Sequence, residues 1–291
     1  MQIELTARPP FSLPQVIHSH GWLQLLPFTW DAATETLHRV ERLASGRVVA
    51  LHFEPRPTGV AVCTDTDLDA AEQAELIAKT EWMLGLDQDF SAFYAAAAGE
   101  PKLMQAAQRA KGRVLRSSTL FEDTIKTIAT TNTTWAGTIR MIKALVELAG
   151  SPLPQDATRR AFPTPQQLAA VDVDALRGIV KLGYRAPYVH ALAEAVVSGA
   201  LDLEALKTND LPTAVLRKRL LSVQGVGPYA AANLLIILGR YDYLPVDSWA
   251  LTLVSREWHD GQPVGEREVN AAFDRWGQWK GLAYWCWEWT E

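Results

Sequence analysis

At 291 residues, with 48% hydrophobic and 21% charged side chains, the chain is long enough for two or three packed units and has the make-up of a globular protein. No apolar run approaches the roughly 20 residues that span a bilayer, and the start MQIELTARPP lacks the basic and apolar regions of a secretion signal, so a cytoplasmic location is expected. The net charge of −5 argues against a polyanionic partner, but its distribution does not: Pro101 to Arg240 holds 18 Lys and Arg against 10 Asp and Glu, leaving 10 basic and 23 acidic residues elsewhere. A basic middle between acidic ends can present a phosphate-binding face.

Up to about Asp67 the pattern is that of short strands, ETLHRVERL, GRVVALHFEP and GVAVCT, with Gly46 and Pro57-Thr58-Gly59 as turns, an antiparallel meander. Trp22, Phe28 and Trp30 in this stretch are candidates to line a pocket, although their spacing does not require it. From Leu68 the period becomes helical, beginning with DAAEQAELIAKTEWMLG after the cap-like Asp67, and helices are expected to continue to the C-terminus. The predicted fold is mostly α with an N-terminal α+β unit: an antiparallel sheet domain over residues 1–84, then a helical body over 85–291 with a helix-hairpin-helix at about 214–239.

Within the body, Asn132 in TTNTTW suits either a loop function or the cap of a helix beginning near Trp135. Arg185 in GYRAPYV suits a phosphate contact or a surface ion pair. VLRKRLLS and YAAANLLIILG read as two helices joined by Gln224-Gly225-Val226-Gly227-Pro228. Gly225 and Gly227 permit positive φ and close backbone approach, Val226 can plug the core, and Pro228 suits the first position of the second helix. Such a turn aims unpaired N–H groups outward at a helix N-terminus, a phosphate site, although an ordinary helical connection looks the same.

Beyond the hairpin, Pro245 precedes Asp247-Ser248 at the start of another helix; an aspartate there is an N-cap, a catalytic anion, or both. Tyr229 faces either a pocket or the core. The C-terminal tryptophans 276, 279, 285, 287 and 289 suit dense packing or base stacking. Two distant cysteines, Cys63 and Cys286, are expected to be reduced and structural, and they are too few for a four-thiolate iron–sulfur or zinc site.

The order of hairpin, apolar helix and Pro-x-Asp in LLSVQGVGPYAAANLLIILGRYDYLPVDSWA resembles the helix-hairpin-helix and Gly/Pro-Asp signature of the DNA glycosylase superfamily, which includes 8-oxoguanine and 3-methyladenine II branches. KLGYRAPYVHALAEAV and IATTNTTWAGTIRMIKAL resemble the helix entrance and the strand-separating asparagine loop of the 8-oxoguanine branch. DRWGQWKGLAYWCWEW is similar to the tryptophan-rich ending of the alkylpurine branch. The resemblance covers about residues 110 to 290.

By this resemblance Asp247 is the catalytic aspartate. Gln224, Gly225, Val226 and Gly227 grip the DNA backbone, Thr131, Asn132 and Thr133 form the wedge loop, and Arg185 is a further DNA contact. Tyr229, with Trp22 and Trp30, is assigned to the base pocket. The implied partner is double-stranded DNA carrying a damaged base, bound by a monomer, which in a prokaryote places this protein at the nucleoid. No cofactor is implied; the hairpin carbonyls offer a place for a monovalent cation, and no iron–sulfur cluster is expected. Superfamily members that cut the strand carry a lysine two positions past the second hairpin glycine, where this chain has Tyr229, so no Schiff base can form there and water must be the nucleophile.

The expected reaction is hydrolysis of the N-glycosidic bond of alkylated purines, with Asp247 stabilising the positive charge that develops on the sugar of a flipped nucleotide. Two alternatives stand beside it: an oxidised-purine glycosylase, and a non-catalytic protein that binds damaged DNA.

Overall fold

The structure, a computed structural model, describes residues 1–287, so Trp289 lies outside the described residues. Packing divides the chain into two compact units. One joins Met1–Gln88 to Arg113–Lys207; the other joins Asp89–Gly112 to the segment from Thr208 onward. This division differs from the boundary expected at 84/85, because the N-terminal sheet packs with helices far downstream.

The first unit contains a five-stranded antiparallel sheet of β1 (Gln2–Thr6), β2 (Phe28–Asp31), β3 (Thr36–Arg42), β4 (Val48–Arg56) and β5 (Gly59–Cys63), ordered β1-β5-β4-β3-β2. The three strands expected from alternation are β3, β4 and β5; β1 and β2 complete the edges. On β4 the alternation sends Val49, Leu51 and Phe53 inward and Ala50, His52 and Glu54 outward.

The inward face of β3 breaks the apolar rule. Leu37 points inward there together with Arg39 and Glu41, all three buried. Arg39 Nε donates to Glu41 at 2.6 Å, and its two Nη groups grip Glu122 at 3.0 and 2.6 Å. Lys126 reaches Glu122 at 2.7 Å and Lys79 reaches Glu41 at 2.8 Å. This network docks the sheet on the helix Leu120–Thr130. Burial alone would raise the Glu122 carboxyl, but the Arg39 and Lys126 charges outweigh it and hold it at about 2.

The helix Ala70–Leu84 is capped by Asp69, not Asp67: Asp69 and Glu72 exchange side-chain and backbone hydrogen bonds in a capping box. Helices do not run unbroken after it. A two-stranded hairpin of β6 (Pro152–Leu153) and β7 (Asp156–Arg160) interrupts them, and Leu153 and Ala161 cover Val40, Val48 and Ala50 on the outer face of the sheet.

The second unit is helical and aromatic. Phe273, fully buried, is ringed by Trp258, Trp276, Tyr284 and Trp287 at centroid distances of 5.4 to 5.7 Å. Trp279 stacks on Tyr241 at 5.8 Å. Packing is thus the use of Trp276, Trp279 and Trp287. Both cysteines are buried and unbridged, and burial pushes the Cys286 thiol up to about 12.

Candidate active site

In the second unit, Thr213–Leu221 and Pro228–Ile237 form the expected helical pair, the first burying Leu216 and Leu220 and the second burying small residues early and bulky ones late. In the turn, Gly225 has φ +88°, a left-handed conformation that glycine enters without steric cost, and Val226 is buried as a plug. Gly227 departs from expectation. Its φ of −86° and ψ of −175° are open to any residue, and a Cβ there would meet nothing within 4 Å. Nothing in the chain itself therefore requires glycine at 227, and the space above it is clear.

Gln224 is exposed beside this space, and no side chain caps the helix that starts at Pro228, so its first-turn N–H groups face outward. Lys218 and Arg219, in the last turn of the preceding helix, are exposed as well. Sequence reasoning did not single them out. The helical phase set by Leu216 and Leu220 would have done so.

Asp247 is the N-cap of the helix Ser248–Trp258, with Oδ1 accepting from the Ala250 N–H at 2.8 Å. The same oxygen accepts from the Tyr284 hydroxyl at 3.2 Å. The carboxylate is half-buried, and both of these hydrogen bonds fall on Oδ1. Burial first, and the Asp247 charge second, push the Tyr284 hydroxyl well above the usual phenol range, so it remains a donor. Tyr229 also contributes to that shift and is 36% exposed, which puts it on the side of Asp247 and not in the core.

Tyr284 is the partner of Asp247 that sequence reasoning missed; 37 residues separate the two. Its position is set by the helix Lys280–Cys286, whose Gly281 lies so close to the main chain of the Tyr241–Tyr243 segment that a Cβ would collide with the Tyr243 carbonyl. The Gly281 N–H donates to the Tyr241 carbonyl at 2.7 Å.

The wedge-loop candidates belong to the first unit. Asn132 does not cap the following helix; Thr134 does, accepting from Gly137 N–H at 3.2 Å. Asn132 instead stands exposed at φ +45° and donates to the Tyr184 hydroxyl at 3.1 Å, with Thr133 exposed next to it. Arg185 is neither a surface ion pair nor open to a phosphate: it is 6% exposed, donates to the Thr131 carbonyl and, at 3.3 Å, to its hydroxyl, and lies 4.5 Å from the Tyr184 ring centre. It braces the loop from behind.

Trp22 is 7% exposed and donates its indole N–H to Asp123 at 2.7 Å, so it is fixed within the first unit. Trp30 is half-buried, edge-on to His18 at 5.0 Å. A cavity of about 260 Å³ in the same unit, lined by Phe121, Phe162, Val196 and the Arg39–Glu122 pair, contains none of the predicted site residues.

Residues 125–280, which include the hairpin and Asp247, match the model of the HhH-GPD superfamily of base excision DNA repair proteins. The chain belongs to this superfamily. It is 26% identical over 174 residues to the DNA-3-methyladenine glycosylase of Bacillus subtilis, an alignment covering 59% of this superfamily member and 56% of the relative's length. The 3-methyladenine DNA glycosylase of Archaeoglobus fulgidus superposes with a TM-score of 0.76 at 21% identity, covering 99% of this chain and 97% of that one. The 8-oxoguanine glycosylase/lyase of Clostridium acetobutylicum superposes with a TM-score of 0.72 at 19% identity, covering 95% and 91%. These likenesses establish the fold. Among the described residues no helix is long and apolar enough to cross a membrane.

Proposed function

We propose that this chain is a monofunctional DNA glycosylase that hydrolyses the N-glycosidic bond of alkylated purines in duplex DNA. The observation that carries the reading is the Asp247 carboxylate. Its Oδ1 is held by the Ala250 N–H and the Tyr284 hydroxyl, which leaves Oδ2 to face the sugar of an extruded nucleotide. A carboxylate so placed stabilises the oxocarbenium-like charge and orients the attacking water. Tyr229, half-exposed where an amine would be needed for imine chemistry, offers an aromatic face to an electron-poor alkylated base.

Binding to the duplex is assigned to the Gln224–Gly227 turn, where the clear space over Gly227 lets a phosphate approach the main chain, with Lys218 and Arg219 adding charge. Asn132, held out by Tyr184 and the Arg185-braced loop, is assigned to fill the place of the extruded base. The step needs no cofactor, and one copy of the chain supplies every group in it. The name of the Bacillus subtilis relative supports the alkylpurine substrate. The Asn132–Tyr184–Arg185 loop favours an oxidised purine as the second reading, and a lesion panel separates the two.

Asp247→Asn is expected to lose about 3–4 kcal/mol of transition-state stabilisation in base release while keeping duplex affinity. The wild type is expected to leave an intact abasic site and to give no borohydride-trapped adduct. Near wild-type release by the variant would remove Asp247 from the chemistry; efficient trapping of the wild type would replace hydrolysis with an amine nucleophile.

A further inference from the structure

The outer face of the N-terminal sheet is covered unevenly. The hairpin of β6 and β7 lies over Val40, Val48 and Ala50, and beyond its apolar contacts the same face continues as a cross-strand row. The register pairs Thr29 with His38, His38 with His52, His52 with Cys63, and Cys63 with Gln2, so these side chains share one face across five strands. Glu54 lies two residues from His52 on the same strand and therefore on the same side. This row has no part in the reaction proposed above.

Three of these groups converge. One ligand atom each from His52, Glu54 and Cys63 lie within 4.8 Å of one another, and His52 Nε2 is 3.4 Å from Glu54 Oε1. A zinc ion bound at about 2.0–2.3 Å in a tetrahedron sets its ligands roughly 3.3–3.8 Å apart, so the His–Glu pair already has the required bite and the thiol closes by about an ångström. Cys63 is buried and forms the floor; the side chains of His52 and Glu54 are 34% and 40% exposed and form walls open to solvent. Glu54 keeps its other oxygen on Arg56 at 2.9 Å, an orienting contact that leaves Oε1 toward His52.

We propose that His52, Glu54 and Cys63 form a binding site for a borderline divalent transition metal, zinc above all, that pins β4 to β5. The thiolate and imidazole select such an ion over magnesium or calcium, which prefer all-oxygen sites. Three protein ligands leave one position for water. On binding, the Cys63 sulfur forms a bond to the metal and its proton passes to solvent. His38, whose ring centre is 6.0 Å from that of His52, flanks the site on β3.

The test uses the full-length, tag-free protein, reduced and stripped with chelator, then titrated with cobalt(II) as the spectroscopic probe and zinc as its competitor. The expected result is a sulfur-to-cobalt charge-transfer band that saturates at one equivalent, is displaced by zinc and is untouched by excess magnesium. Losing a residue that merely orients a metal ligand costs roughly 10–100-fold in affinity, so Cys63→Ser and His52→Ala should each weaken binding by at least about tenfold. Cys286→Ser should leave the band intact. His52 is partly exposed, so its variant is expected to fold even where the buried Cys63 change is not tolerated. Absence of the band in the folded wild type, or its persistence in His52→Ala, would overturn the site. Base release by the stripped protein, measured alongside, reports on Asp247 chemistry independently of either outcome.

Discussion

Each of the two compact units is held together internally, and by opposite means. In the sheet unit the contact between β3 and the helix Leu120–Thr130 is a set of buried charges, Arg39, Glu41, Glu122 and Lys126, with the half-buried Lys79 at its margin. In the hairpin unit the corresponding role falls to rings packed about Phe273. Buried charges hold only while every partner is present and ionised, whereas rings contribute area and shape that are indifferent to proton concentration. The half-buried Asp247 carboxylate is held by the second kind of support, through the Tyr284 hydroxyl of that cluster.

The sharpest way to break this contrast is to open the charge network. Glu122→Ala takes away the ion pair of the buried Lys126 and leaves Arg39 with Glu41 alone, and is expected to cost about 3–5 kcal/mol in a urea melt at neutral pH. Phe273→Ala should cost a similar amount through the cavity it leaves.

Acid then separates the two. The Glu122 carboxyl titrates at about 2 in the folded chain against an ordinary value of 4.5, so the unfolded chain takes up this proton first. Its stabilisation is complete above about pH 4.5 and fades as pH falls toward 2, a loss on the order of 3 kcal/mol. Phe273→Ala should retain that acid-dependent loss, and Glu122→Ala should lack it. Equal slopes in the two variants, read from urea midpoints across this window, would remove Glu122 as the source.

The smallest effect is expected where the aromatic cluster meets the carboxylate. Tyr284→Phe keeps the ring and deletes one hydrogen bond to Asp247, for an expected loss of about 0.5–1.5 kcal/mol in the rate of base release. Duplex affinity should hardly move, and the urea midpoint should fall by no more than that same amount. A fall in duplex affinity without a change in rate would make Tyr284 a scaffold residue only.

What the sequence made legible follows from how local each signal is. The strands β3 to β5 announce themselves by alternation and by the Gly46 and Pro57–Gly59 turns, and the helical hairpin by its apolar spacing around Gly225. The inward direction of Arg39 does not, because its partner Glu122 is 83 residues away and a charged residue in a strand ordinarily reads as outward. The β6–β7 hairpin was hidden by short strands bearing Pro152, an aspartate and two arginines, with Thr158 as their single β-branched residue. Asp247 was legible as a cap, from its place behind Pro245 and ahead of an apolar helical run. Tyr284 was lost in a run of aromatics whose common use is packing. The burial of Arg185 was not legible because its contacts with the Thr131 hydroxyl and main chain depend on how two separate loops meet.

Gly281 acts as a spacer of fixed thickness. Because main chain touches main chain there, the distance between the C-terminal helix and the Tyr241–Tyr243 segment is set by atoms that every residue shares, and no rotamer can adjust it. Tyr284 follows one turn later and inherits that distance. A survey that deletes side chains one at a time would pass over position 281, since there is nothing to delete. The alignment of the hydroxyl on Asp247 is thus governed by the residue with the least chemistry of its own, and it is sensitive there to addition, not loss.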